Sequence, residues 1–163
     1  MSSYLDIAAS LIARFEGFES KAYPDPLTGA EPITIGFGTI KYPDGSKVKM
    51  GDDCTEEQAK VWLMFEIEKK CLRQLERIPT WPDMNDNQKA ALLSFAYNLG
   101  AHFYRASNFT SISRVCDQPG DWHDHEWVKD QFVKYRNPGS DVEAGLKRRR
   151  EAEADLFNST PKG

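Results

Sequence analysis

Residues 15–39 limit the fold more than any other stretch, because glycine and proline divide them into short pieces. The run F-E-G-F-E-S-K-A-Y-P-D-P-L-T-G-A-E-P-I-T-I-G-F-G-T holds four glycines and three prolines, which excludes a long helix here. Gly17 follows an amphipathic run and predicts that a first helix ends at Glu16. The β-branched and aromatic residues of 34–39, interrupted by two glycines, predict a strand that another segment approaches closely.

Two carboxylates and a hydroxyl are spaced evenly through this stretch. Glu16 precedes Asp25 by nine positions, and Thr34 follows nine positions later. Asp25 lies between two prolines, which predicts a stiff turn. Two carboxylates in different environments, beside a hydroxyl, suit cleavage of a glycosidic bond. Taken singly, a solvated surface glutamate, a turn aspartate and a strand threonine are the ordinary interpretations.

Helical periodicity dominates both sides of this stretch. Thr55 and Gln58 form a capping-box pattern at the start of the longest helical run, from Glu56 to about Arg77. This helix is apolar on more than one side, so we expect it to contact packed groups on two sides and, at roughly 30 Å, to connect two lobes. A helix after Asn85 is apolar almost all round, which predicts a buried central helix ending at Gly100.

The remaining segments are shorter. Helices are predicted over 108–116, 124–135 and 142–157, and strand-like pieces over 32–40 and 47–50, with a turn at 42–46 between the strands. The fold class indicated is α+β.

Composition bounds the chain to one globular domain. It has 163 residues, 40% of them hydrophobic. The net charge is -4, so the chain lacks the strongly basic composition that would indicate nucleic-acid binding. Three cysteines without short spacing predict free thiols rather than a disulfide framework or zinc site. The N-terminal run lacks a basic leader and a long apolar core, which predicts no signal peptide and synthesis in the cytoplasm.

Two polar clusters invite other interpretations. His123 and His125 lie two positions apart in a segment that enters a helix, so a solvated loop is favoured over a metal site. The arginines at 148–150 point about 100° apart on a helix and form no common nucleic-acid face. We expect one or two of them to pair with acids inside the protein.

The same residues resemble the signature E-G…Y-x-D…T-I-G-x-G of the phage-type lysozymes (glycoside hydrolase family 24). The segments S-F-A-Y-N-L-G at 94–100 and G-L-K-R-R-R-E-A-E-A-D-L-F at 145–157 are similar to two later family blocks, in family order. The spacing from Asp25 to Thr34 is longer than in the best-known members, which predicts an extended hairpin. Thr39 stands where some members have histidine.

The resemblance implies one lysozyme-like catalytic domain over residues 1–163. It would comprise a small antiparallel β-sheet lobe (about 17–54), a connecting helix (about 55–78) and a larger helical lobe (about 79–163, with the N-terminal helix), with the active-site cleft between the lobes. The implied activity is that of an endolysin that hydrolyses β-1,4 bonds between N-acetylmuramic acid and N-acetylglucosamine in bacterial peptidoglycan, with inversion and cell lysis. Neither metal nor cofactor is implied.

The implied partner is the glycan strand of peptidoglycan. We expect a monomer without nucleic acid and without stable membrane association, which acts on the wall after release. A separate holin-like factor would be needed for that release.

The resemblance also assigns roles to residues. Glu16 is the general acid and must keep its proton near neutral pH, while Asp25 stays ionised, stabilises oxocarbenium character and helps position water. Thr34 orients that water.

Further residues are assigned around this centre. Tyr97 and Ser107 are the substrate-binding candidates, and a core position is the alternative for Tyr97, because its helix is apolar almost all round. Arg149, or failing that Arg148, is expected to reach Glu16, whereas Arg150 is expected on another face and dispensable.

Two other classes of function remain open from the sequence. One is a peptidoglycan-binding module of the same fold that has lost catalysis, and the other is a structural or inhibitory protein. The presence of Glu16, Asp25 and Thr34 together disfavours both.

Overall fold

The computed structural model describes residues 3–161, which form a set of helices and one small sheet. The antiparallel sheet has two strands, β1 (Glu19–Tyr23) and β2 (Thr34–Gly36). The α-helices are α1 (Tyr4–Glu16), α2 (Glu56–Ile67), α3 (Arg73–Leu75), α4 (Asp86–Leu99), α5 (Thr110–Asp117), α6 (His125–Val133) and α7 (Glu143–Phe157). A π-helical segment, Glu68–Leu72, joins α2 to α3, and 3₁₀ turns occupy Trp81–Asp83, Ser107–Phe109 and Pro119–Asp121.

Side-chain caps fix where the two main helices begin. At α2, the Thr55 hydroxyl accepts from the Gln58 amide, and the Gln58 side chain accepts from the Thr55 amide at 2.9 Å. Asn85 and Gln88 make the same reciprocal pair at α4. The capping box predicted at Thr55 is therefore confirmed.

Helix α4 lies at the centre of the larger core. It packs against α1 and α7, and its middle residues are buried on every side. This confirms the central helix predicted from its apolar composition. The buried residues of α4 are Asn87, Ala90, Ala91, Leu92, Leu93, Ser94, Phe95 and Ala96.

Helix α2 packs on two sides, as its apolar pattern predicted. Leu63 is buried in the larger core, whereas Trp62 covers a separate small cluster and lies 4.9 Å from the ring of Tyr42. The small cluster has three buried members: Ala22, Ile35 and Val48. Because so few apolar groups are buried there, the sheet region depends on its contact with α2.

The strand predictions were partly wrong. Only 34–36 of the predicted 32–40 strand is part of the sheet. The chain reverses after it, because Gly36 and Gly38 adopt φ of 66° and 93°, and the backbones of Ile35 and Thr39 hydrogen-bond to each other across the turn. The predicted strand at 47–50 makes a single bridge, at Lys47, before a turn closed by Asp52.

Strand β1 was missed because its sequence, E-S-K-A-Y, has no apolar alternation and buries only Ala22. The long helix after Thr55 ends at Leu75 and widens into π geometry at Glu68–Leu72, which no sequence signal indicated. Cys54, Cys71 and Cys116 are free thiols, as predicted. Within residues 3–161, no helix is both long and apolar enough to cross a membrane.

Gly36 allows the hairpin to approach α2 closely. Its φ of 66° is one that side-chain-bearing residues rarely adopt, and a Cβ placed on it would lie 2.8 Å from the Cβ of Ala59. Such a contact is shorter than packing allows, so the position requires glycine on two grounds. The close approach predicted for this strand is confirmed.

We expect Gly36→Ala to reduce the free energy of unfolding by about 1–3 kcal/mol through overpacking, in addition to the cost of its backbone conformation. The matched control is Gly45→Ala, because Gly45 also has positive φ, at 92°, but nothing lies within 4 Å of an added Cβ. Urea unfolding of the two variants measures the difference. Equal losses would show that contact with Ala59 is unimportant.

Candidate active site

Glu16 lies where α1, the hairpin and α7 meet. Helix α1 ends at Glu16, and Gly17 leaves the helix with φ of 73°. The Glu16 side chain is 34% exposed. A Cβ placed on Gly38 would lie 3.9 Å from Glu16 Oε2, so the turn after β2 passes close to the carboxylate. The carboxylate is thus accessible to solvent yet bordered by protein.

Arg149 faces Glu16, which is the pairing that the family resemblance implied. Its Nη1 lies 3.6 Å from Glu16 Oε1, and the residue is only 5% exposed. Arg148 is exposed and makes no ion pair within residues 3–161, so it does not take this place. The pairing brings the first and last helices of the described chain together at one charged contact.

The expectation for Arg150 was wrong. Arg150 is 0% exposed, with Nε 2.6 Å from Glu153 Oε1 and Nη2 donating to Glu153 Oε2 at 2.9 Å. Neighbouring helical positions point in different directions, but here both directions lead into the protein, because α7 packs on both α4 and α6. Arg150 is part of the core rather than a dispensable surface residue.

Asp25 and Thr34 lie at the same end of the hairpin. Thr34 pairs with Tyr23 across the sheet, and Asp25 follows Tyr23 by two positions. The Asp25 carboxylate accepts a hydrogen bond from the Leu27 amide at 2.9 Å. The backbone of Asp25 hydrogen-bonds to the backbones of Ala30 and Gly29, which closes a tight turn. The Thr34 hydroxyl donates to the Pro32 carbonyl at 3.3 Å. Both side chains are half-buried.

Tyr97 belongs to the surroundings of Glu16. It is half-buried on α4, and desolvation, followed by the negative charges of Glu16 and Glu66, raises its pKa to about 12. Lys70, paired with Glu66 at 2.9 Å, lies 5.8 Å from the centre of the Tyr97 ring. Tyr97 is therefore neither a fully buried core residue nor a free surface one.

The structure joins the predicted residues in two groups. Glu16 and Arg149 form one group, whose charges act on the pKa of Tyr97, and Asp25 and Thr34 form the other at the hairpin end. Among residues 3–161, no hydrogen bond or ion pair links Glu16 directly to Asp25 or Thr34. Ser107 is exposed at the start of a 3₁₀ turn and contacts neither group through a polar bond.

Sequence reasoning missed Glu153, which lies behind Arg149. Glu153 is 0% exposed and accepts from Ser94 Oγ at 2.6 Å and from Arg149 Nε at 3.3 Å. Charged residues are rarely fully buried, so composition did not indicate that Glu153 lies in the core. The available signal was its spacing, three and four positions after two arginines on one helix.

The described residues offer no metal site. Across 3–161, no group of three or more His, Cys, Asp or Glu side chains is arranged to hold a metal ion. His123 precedes α6 and His125 begins it, while the Asp124 side chain between them accepts from the Trp127 amide and caps the helix.

Comparison with solved structures defines the fold as lysozyme-like. The endolysin from Escherichia coli O157:H7 phage FAHEc1 superposes with a TM-score of 0.71 at 30% identity, over 95% of this chain and 94% of that one. The muramidase domain of SpmX from Asticaccaulis excentricus superposes with a TM-score of 0.68 at 25% identity, over 94% and 96% of the two chains.

Sequence comparison then gives the family. Residues 13–153 match the phage lysozyme family profile, and the chain belongs to that family. An endolysin from Lactococcus phage c2 is 33% identical over 149 residues, which make up 91% of this chain and 57% of that protein. The chain spans about half the length of the first curated relatives that it matches.

The raised pKa of Tyr97 predicts a specific loss of stability in alkali. The unfolded phenol ionises near its usual pKa of about 10 and the folded one near 12, so unfolding releases a proton between these values and stability falls across that window as pH rises. We expect Tyr97→Phe to lose less stability than wild type between about pH 9 and about pH 11 in urea unfolding. Tyr42 and Tyr104, whose pKa values are also raised to about 12, remain in both proteins. Equal losses would contradict the desolvation of Tyr97.

Proposed function

We propose that the chain is a muramidase, hydrolysing β-1,4 glycosidic bonds between N-acetylmuramic acid and N-acetylglucosamine in bacterial peptidoglycan. The observation on which this depends most is the partly exposed Glu16 carboxylate, faced by the buried Arg149 and bordered by the hairpin that bears Asp25 and Thr34. Family membership supports the proposal, as do the printed descriptions of its relatives as endolysins and a muramidase domain.

In the proposed reaction, Glu16 protonates the oxygen of the leaving sugar. Asp25 remains ionised and stabilises the positive charge that develops on the reacting sugar, while Thr34 orients the attacking water. Inversion requires water between the two carboxyl groups, which therefore must lie roughly 6.5–9.5 Å apart. The separate placement of Glu16 on a helix end and Asp25 on a hairpin end is compatible with such a gap.

The proposed substrate site is a cleft between the hairpin lobe and the helical lobe of a single domain. Tyr97 would contact sugar there, because its ring is half-buried and its hydroxyl lies in the field of Glu16. Ser107 would contribute a hydroxyl from its exposed 3₁₀ turn. The domain would act as a monomer on glycan strands and reach the wall through a separate holin-like factor.

Glu16→Gln should reduce hydrolysis by roughly 10²–10⁴-fold while the protein stays folded, because glutamine keeps the shape but cannot donate the proton. Release of reducing ends from purified peptidoglycan measures the rate, and NMR of the first product measures its anomeric configuration. We expect the α-anomer from a β-linked substrate.

The matched control is Glu19→Gln, which removes an exposed carboxylate three positions away without an ion pair in the described chain. It should keep wild-type activity. If Glu16→Gln is as active as Glu19→Gln, the acid assignment fails. If wild type binds peptidoglycan but releases no reducing ends, the chain is a binding module instead.

A further inference from the structure

A chain of alternating charges extends from Glu16 into the core. Arg149 pairs with Glu16 on one side and with Glu153 on the other, and Glu153 pairs in turn with Arg150. The last three side chains are 6%, 0% and 0% exposed, so water screens the contacts between them very little. Ser94 on α4 joins the cluster through its hydroxyl and its carbonyl.

The guanidinium of Arg149 is held along two edges. Its Nε donates to Glu153 Oε2 at 3.3 Å, and its Nη2 donates to the Ser94 carbonyl at 3.1 Å. Only Nη1 is left to face Glu16, at 3.6 Å. Since the guanidinium is planar, fixing two of its nitrogens also fixes the direction of the third.

We infer that Glu153 is a positioning residue for the reaction, which acts by holding Arg149 so that its free edge orients the Glu16 carboxylate. Glu153 does not touch the substrate. This inference rests on the proposed role of Glu16 as the acid and adds the residue that holds Arg149 from behind.

Charge explains why a carboxylate is needed at this position. Arg149 and Arg150 are adjacent in the chain and both buried, so without Glu153 they would repel each other beside a single, partly exposed anion. Burial raises the pKa of Glu153, and the guanidinium of Arg150 is the strongest influence that opposes this shift. The Ser94 hydroxyl and the guanidinium of Arg149 oppose the shift as well, so every polar neighbour of Glu153 favours its carboxylate form.

Stability alone explains the cluster poorly. Buried ion pairs contribute little more than apolar residues of similar size, because desolvation offsets their attraction. Arg150 Nε and Glu153 Oε1 lie 2.6 Å apart without hydrogen-bond geometry, and Arg150 Nη1 makes no hydrogen bond in the described structure, which increases that cost. An arrangement that costs desolvation and leaves Arg150 Nη1 without a hydrogen bond is better explained by the orientation it gives to Arg149.

The test is Glu153→Gln, assayed on soluble, uncrosslinked peptidoglycan well below its melting temperature. We expect kcat to fall about 10- to 100-fold, with KM little changed, because misplacement of a catalytic group affects the chemical step.

Two further variants separate positioning from folding. Thr80→Val removes the hydrogen bond from Thr80 to the Cys116 carbonyl, away from the site, and should lower stability without changing kcat. The double variant Arg150→Met with Glu153→Leu replaces the buried pair by apolar side chains. It should recover stability relative to Glu153→Gln but not recover kcat.

The outcomes distinguish a failure of the role inferred for Glu153 from a failure of the proposed muramidase activity. If wild type releases no reducing ends, or Glu16→Gln remains fully active, the proposed function fails first. If wild type is active and Glu16→Gln is not, but Glu153→Gln keeps the wild-type kcat, Glu153 is only structural. Recovery of kcat in the double variant would overturn the inference in the same way.

Discussion

Burial of two adjacent arginines on α7 is the constraint around which this part of the protein is built. Arg149 and Arg150 are 5% and 0% exposed, and charges removed from water need counter-charges and hydrogen bonds close by. Glu153 supplies the buried counter-charge, and Ser94 on α4 donates its hydroxyl to Glu153 and accepts from Arg149 through its carbonyl. Polar contacts therefore fix α7 against the central helix in addition to packing. The remaining partner, Glu16, comes from the end of α1.

The hairpin reaches Glu16 through close backbone contacts rather than through a core of its own. Its apolar cluster has three buried residues, and Gly36 lets β2 lie directly against Ala59 of α2. Two residues further on, Gly38 passes beside the Glu16 carboxylate. A segment with few apolar contacts is thereby held next to the charged group, and the other end of the same hairpin presents Asp25 and Thr34.

Local rules predicted the helices well because their signals lie within a few residues of each other. The Thr55 capping box and the all-apolar pattern of α4 both fit the structure. Strands were predicted poorly, because β1 has no apolar alternation and β2 is cut short where Gly36 and Gly38 adopt positive φ. The glycines indicated a close approach, but the apolar pattern did not indicate where the chain reverses.

The site was predicted only in part, for a related reason. The motif resemblance indicated that Arg149 reaches Glu16, and the structure places Arg149 Nη1 3.6 Å from Glu16 Oε1. Helical geometry showed that Arg149 and Arg150 point in different directions, but not that both directions lead into the protein. Glu153 was missed because charged residues are rarely buried, and only its spacing from the arginines indicated a pair.

The central claim is that Arg149 acts through Glu16, and a double-mutant cycle on the rate of peptidoglycan hydrolysis tests it most directly. Arg149→Met removes the charge while keeping much of the side-chain length, and it is measured both in wild type and in Glu16→Gln, with melting temperatures recorded for all four proteins. The account predicts a loss of about 10- to 100-fold when Glu16 is present, and no further loss when Glu16 is already glutamine. The same fold-loss in both backgrounds would contradict it.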